Sequence, residues 1–298
     1  IRNPARDAST EIDAAYTNPA GLAKLQQEGL HFTFSNQSAF QTREITSTFA
    51  PFALGVNNNG NPEKYFEGTA SAPIIPSFMG AYKKGQWVLS GYIGVIGGGG
   101  KATFSDGLPS FEAGMAAIAA GTGSSQYSIN QYMRGSSFIF GGQLGGTYPI
   151  NEIFSVYGGF RLNVVNNAYE GYLKDVKINP TGTMISANAY LTSAATAAKG
   201  AGDGLKPILD AGAGSYTMDQ LLAGGTIPQA SYDALKAGLG SPATFGSMPA
   251  ELVQTTYYGA SQKYQGLADQ TADRELDVKQ SGWGITPIVG VNISLDKL

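Results

Sequence analysis

Between residues 138 and 165 the chain reads FIFGGQLGGTYPINEIFSVYGGFRLNVV. Phe138, Phe140, Leu144 and Tyr148 alternate with Ser137, Gln143 and Thr147. Beyond a Pro-Ile-Asn-Glu turn, Phe154, Val156, Phe160, Leu162 and Val164 alternate with Ser155, Tyr157, Arg161 and Asn163. Successive side chains of a strand point to opposite faces, so a period of two on both sides of a tight turn predicts an antiparallel hairpin. One face is apolar, with aromatics next to the turn. The other is small and polar and carries an arginine. A soluble sandwich would bury the apolar face against a second sheet. A transmembrane barrel would turn the same face to lipid and the polar face to a lumen.

The 298 residues suffice for one large domain or two ordinary ones. Charged residues make up 14% of the chain, against roughly 25% in an ordinary soluble protein. The net charge of -3 leaves no basic footprint for nucleic acid. There is no cysteine, which excludes a disulfide framework and thiolate chemistry. No run of about 18 apolar residues occurs, so a spanning helix is excluded, whereas barrel strands dilute their hydropathy by alternation.

Residues 1–28, with two Asn-Pro pairs, read as a compact, mostly irregular segment. A first strand starts at Gly29, with Leu30, Phe32 and Phe34 on one face and His31, Thr33 and Ser35 on the other. Residues 50–72 read as a loop. Strands follow at 73–83 and 87–96, joined by Lys83-Lys84-Gly85-Gln86. The second of them runs into Gly97-Gly98-Gly99-Gly100, where a regular ladder is expected to bend or bulge. In the connection to residue 126, Ser110 is placed to cap a short helix over 108–120. The hairpin arms then cover about 127–148 and 153–178. A very long connection, 180–272, holds helix signals at 217–222, 228–239 and 247–258. A last strand carries Trp283, Ile285, Val289, Val291 and Ile293 on one face.

Loop lengths decide between the two folds. Short turns (83–86 and 149–152) alternate with long connections (50–72, 97–126, 180–272), and Tyr82, Trp87, Tyr148 and Phe154 flank the short ones. Trp283 is placed for the opposite aromatic girdle. Loops sorted by parity and aromatic belts predict an all-β, antiparallel transmembrane barrel in an outer membrane. Six strands are fewer than the eight at which single-chain barrels begin, so the strands are expected to be part of a larger barrel, with residues 295–298 opening another short turn.

Asp7–Leu22, DASTEIDAAYTNPAGL, resembles the FadL family of outer-membrane transporters for long-chain fatty acids and other hydrophobic compounds, through Asn18-Pro19-Ala20 directly ahead of a strand and helices inserted in the long loops. The resemblance implies a 14-stranded barrel, of which this chain carries about six strands. Residues 1–28 would be part of an N-terminal hatch, and 29–298 barrel wall with extracellular loops at about 97–126 and 180–272. It also implies passive uptake in a monomer of a Gram-negative outer membrane. The substrate enters a loop cleft, passes the lumen and leaves sideways into lipid after the hatch moves, through a gap at an inward kink of the third strand. Gly91, Gly94, Gly97 and Gly98 would permit that bend.

Each candidate residue has a second reading. Leu108, Phe111, Met115 and Ile118, with Leu221, Leu222 and Leu235, form either the substrate cleft or a core that packs the loops on one another. Asn18, Pro19 and Ala20 form either a moving hatch contact or a static turn. Arg161 meets either a substrate carboxylate or a hatch acid such as Asp7, Glu11 or Asp13. The glycine run is no phosphate loop, lacking Gly-Lys-Ser/Thr. His31, the single histidine, has no accompanying hydrolase signature, so no enzyme, cofactor or metal is expected. Expected partners are hydrophobic small molecules and membrane lipid. The alternative is a surface protein whose helical loops bind a protein partner.

Overall fold

The computed structural model describes residues 8–295. A one-turn helix α1 (Ala14–Thr17) and a 3-10 turn (Pro19–Lys24) lead to β1 (Gly29–Thr48), β2 (Glu63–Lys84) and β3 (Trp87–Phe104). Helix α2 (Pro109–Gly121) is followed by β4 (Tyr127–Pro149), β5 (Phe154–Ile178) and the two-residue β6 (Ile185–Ser186). Helices α3 (Ala187–Asp210), α4 (Met218–Ala223), α5 (Gln229–Gly238) and α6 (Ala250–Thr271) precede β7 (Arg274–Ile293). The strands form one antiparallel sheet, β1 through β5 in sequence order, with β6 at the far end of β5 and β7 along the rest of it. The sheet is open, with β1 and β7 at its margins. Among the described residues no helix is long and apolar enough to cross a membrane.

The hairpin pairs as its alternation requires, from Pro149↔Ser155 through Gln143↔Arg161 to Tyr127↔Ile178. Its apolar face continues across the sheet. Phe32, Gly80, Gly91, Leu144, Phe160 and Pro287 make one transverse row, and Phe34, Phe78, Ile93, Gly142, Leu162 and Ile285 the next. Among the described residues nothing covers this face: Phe32 is 79% exposed, Trp283 75% and Val289 88%. Along β5 the band runs from Phe154 to Val164 and then gives way to Asn166, Ala168 and Glu170 on the same face. Ten residue steps at ~3.3 Å, tilted ~40°, give a height of about 25 Å. Six strands ~4.8 Å apart, each carrying the band along ~33 Å of its length, make it roughly 900 Å² in area, beyond the few hundred square ångströms that a soluble monomer leaves bare. Trp87 stacks on Tyr148, centroids 4.8 Å apart, at one margin. Trp283, opposite Val164, marks the other.

Several elements differ from the sequence reading. β2 begins at Glu63, not residue 73, because a partner strand supplies ladder bonds that Gly68 and the small residues around it do not advertise. β3 continues through the glycines to Phe104. Pro109 at the first helical position starts α2 after Leu108, so Ser110 lies inside the helix and caps nothing. Thr217 and Gln220 form a capping box on α4. α3 stands where no helix was read. Its buried stripe of Ala187, Leu191, Ala195, Ala198, Gly202 and Leu205 packs against α6, where Gly202 leaves room for the Tyr258 ring. The turn expected at 295–298 falls mostly outside the described residues.

Two helical assemblies sit beyond the band. Next to the strands, Phe52, Phe66, Met115, Ile118, Tyr127, Ile178 and Leu191 share a core. A separate core of Met218, Leu221, Leu235, Phe245, Val253 and Tyr257 unites α4 and α5 with parts of α3 and α6.

Candidate functional site

The segment before β1 lies on the inward, polar face of the sheet and plugs it. Ala14, Ala15, Leu22 and Leu25 pack against Ala81 and Val88. The wall holds the plug by its main chain. Gln143 Nε2 donates to Ala15 O (3.1 Å), Thr147 Oγ1 to Pro19 O (2.7 Å), Ser155 Oγ to Ala20 O (2.7 Å), and Lys83 Nζ to Leu25 O. In return Asn18 Nδ2 donates to Val291 O (3.0 Å) and Lys24 Nζ to Glu152 O. At a net ~0.5–1.5 kcal/mol for each such bond, the backbone of 15–25 is firmly seated. Asn18-Pro19-Ala20 is thus hydrogen-bonded to β4, β5 and β7.

Arg161 meets no described carboxylate. Its Nε donates to Gln143 Oε1 (3.0 Å), its Nη2 reaches Tyr16 O (3.4 Å), and its guanidinium lies 4.8 Å from the Tyr16 ring centroid. Neither Glu11 nor Asp13 is a recorded partner of Arg161; Asp7 lies outside the described residues. Among the described residues its partners are the Gln143 amide oxygen and the carbonyl and ring of Tyr16. His31 Nε2 lies 2.9 Å from Gln27 O, with no serine or acid recorded beside it.

The ladder between β2 and β3 is broken. It runs from Lys84↔Trp87 to Ser77↔Gly94 and resumes only at Ser71↔Lys101. The strands part along Ala72-Pro73-Ile74-Ile75-Pro76 on one side and Val95 to Gly100 on the other. A proline has no N–H to give a ladder, and Pro73 and Pro76 fall here. Each strand instead leans on its other neighbour. Asn36 Oδ1 accepts from Ile75 N (3.1 Å) and Ser38 Oγ donates to Pro73 O (2.6 Å). Gly98, at φ +107°, presses so closely on the Ser137 carbonyl that a Cβ would overlap it. The break leaves a space of about 870 Å³, bounded by Asn36, Gln37, Ile75, Ile96 and the glycines, with Tyr16 and Tyr92 at its inner side. Gly97 and Gly98 lie in the break as expected. Gly94 is its last rung and faces inward against Tyr92, while Gly91 is regularly paired with Gly80 and Leu144 outside it. The prolines of β2, unread as a signal, define the break as much as the glycines do.

A second cavity, about 420 Å³, opens between α2 and the upper ends of β4, β5 and β7. Phe111, Met115, Met133, Leu173 and Leu276 line it, with Ser110, Gln270 and Arg274 among its polar lining residues. α2 is pinned over it by Glu112, 1% exposed, whose carboxylate accepts from Lys64 Nζ (2.6 Å), Tyr127 Oη (2.8 Å) and Gln131 Nε2 (2.6 Å). Of the expected cleft residues only Phe111 and Met115 reach this cavity. Ile118 packs in the core beside it, Leu108 lies half-buried at the helix start, and Leu221, Leu222 and Leu235 belong to the separate α4–α5 assembly. The two leucine groups thus do not form one cleft. Met133, Leu173 and Leu276 went unread because their strands pass beyond the band, where alternation loses its contrast.

No family model, no curated protein and no solved structure matches this chain.

Proposed function

We propose that the sheet is part of the wall of an outer-membrane β-barrel through which hydrophobic compounds, long-chain fatty acids among them, enter by passive diffusion, as the resemblance to the FadL family implies. The observation that carries this reading is the break between β2 and β3, which opens at the edge of the apolar face, level with Val164 to Asn167 of β5, with Tyr16 of the plug at its inner side. In lipid every backbone polar group must be paired, so β1 and β7 would each pair with a further strand in a closed barrel. The cavity under α2 offers an apolar first stop, the polar lumen leads to the break, and the break opens sideways. Each buried CH₂ is worth ~0.8 kcal/mol, so a chain passed from cavity to lipid keeps that stabilisation, whereas release into water forfeits it. No reaction and no energy source is involved.

A surface-interaction role is favoured by one observation, the independent core of α4 and α5. The deciding experiment measures transfer of a fluorescent straight-chain carboxylate into lipid vesicles carrying the protein. Gly99 has an ordinary φ and nothing within 4 Å of an ideal Cβ, so Gly99→Trp can fill the break without strain. Transfer by the native protein and a loss of at least tenfold in Gly99→Trp is the expected result. Transfer no faster than in empty vesicles, or an unaffected Gly99→Trp, rejects the path. Capture of a protein by the isolated lid surface, with no transfer, would favour the alternative.

A further inference from the structure

At the inner side of the break three groups stack. The ring centroids of Tyr16 and Tyr92 are 4.5 Å apart with the rings tilted by 36°, and the Arg161 guanidinium lies 4.8 Å from the Tyr16 centroid. Both tyrosines border the space of the break. The Tyr92 hydroxyl reaches Val95 O (3.4 Å), the first residue past the last rung. Among the described residues Tyr16 is the one plug residue that borders this space. Its backbone belongs to the segment that Gln143, Thr147, Ser155 and Lys83 hold by carbonyls. Its ring is held differently. Among the described residues its hydroxyl makes no hydrogen bond, and its ring meets the tilted Tyr92 ring and the Arg161 guanidinium.

We propose that Tyr16 is the gate of the break and that its side chain, rather than the plug backbone, is the part that moves. This rests on the sideways path argued above. Moving the backbone would break the whole comb of wall-to-carbonyl bonds and uncover Ala14, Ala15 and Leu22. Swinging the ring about its own Cα–Cβ bond gives up the contacts with Tyr92 and Arg161 and breaks none of those hydrogen bonds. The Tyr16 ring then sets the cross-section that passes from lumen to break, and Tyr92 and Arg161 are positioning residues that hold it shut.

The test uses the full chain in lipid vesicles with two probes, a slender straight-chain carboxylate and one ending in a fused aromatic ring. Tyr16→Ala should raise transfer of the bulky probe at least tenfold more than that of the slender one. Tyr16→Phe, which keeps the ring, should restore the native ratio. A purely structural role for Tyr16 would alter both probes alike. The second arm locks the backbone. An ideal Cβ at Gly290 lies 3.6 Å from that of Ala20, within the range for a disulfide, with only the Asn18 side chain to shift. The native chain has no cysteine to interfere. In Ala20→Cys/Gly290→Cys, transfer within twofold between oxidised and reduced protein supports a side-chain gate. Loss on oxidation with recovery on reduction shows the plug moving as a body and overturns it. An unchanged probe ratio in Tyr16→Ala also overturns it, while a Gly99→Trp that still blocks transfer leaves the sideways path standing. If Gly99→Trp has no effect, the path itself has failed.

Discussion

Replacing Glu112 with alanine should release α2 from the sheet while leaving the strands in place. The carboxylate takes three hydrogen bonds from β2 and β4, and two of its partners, Tyr127 and Gln131, are themselves buried. Breaking a buried charge pair by deleting one member costs ~3–5 kcal/mol. Lys64 keeps 23% of its side chain exposed and can recover some hydration, which places the expected loss near the lower end, about 3 kcal/mol. At 1.4 kcal/mol per factor of ten, amide exchange across residues 109–121 should quicken roughly a hundredfold. Met115 and Ile118 would remain as apolar anchors, so α2 should open more often without unfolding the core below it. Glu112→Gln, which keeps the shape and one acceptor oxygen, should fall between. Hydrogen exchange read by mass spectrometry resolves this directly. If exchange in α2 stays within threefold of native, or β4 and β5 quicken by the same factor, the carboxylate is not what pins the helix.

Phe32 and Thr33 are chain neighbours on opposite faces, so a lysine at each separates lipid from lumen. Phe32→Lys should cost ~2–4 kcal/mol near mid-bilayer and Thr33→Lys little, measured by denaturant unfolding from vesicles; equal losses refute the lipid-facing band. In the lid, the Asp203 carboxyl is held below its usual range, first by the hydrogen bond from Lys199 and then by that from Tyr258 on α6. A lowered folded value means that its contribution is present above the reference value of 3.8 and is lost as pH falls through the depressed value. Protection of the α3 and α6 amides, referred to the intrinsic exchange rate at each pH, should therefore fall below about pH 4 in the native chain and less so in Asp203→Asn. Identical profiles would show that the pair contributes nothing to lid closure.

Much of the wall was legible in the chain because a strand with unlike faces must alternate. The hairpin register, the short turns, the aromatic margins at Trp87, Tyr148 and Trp283, and the start of β1 all follow from that period. α3 was missed because its stripe is built of alanine and glycine, which carry little hydropathy but allow close approach to α6. The start of β2 was missed because small residues take their place from partner strands. Phe111 and Met115, singled out by helical spacing, line the cavity under α2. Leu221 and Leu235 share that spacing, yet they face a different core.

The amino-acid sequence alone determines an antiparallel sheet with one apolar and one polar face, since a two-residue period admits no other regular element. It also marks Gly97 to Gly100 as a place where the ladder of β3 is expected to bend or bulge. Only the tertiary structure decides that β2 and β3 part there and what stands behind the break. Tyr16, Tyr92 and Arg161 come from segments far apart in the chain, and their stack exists because the wall grips the plug by its carbonyls. Main-chain carbonyls occur at every residue, so their use as handles leaves no trace in side-chain identity.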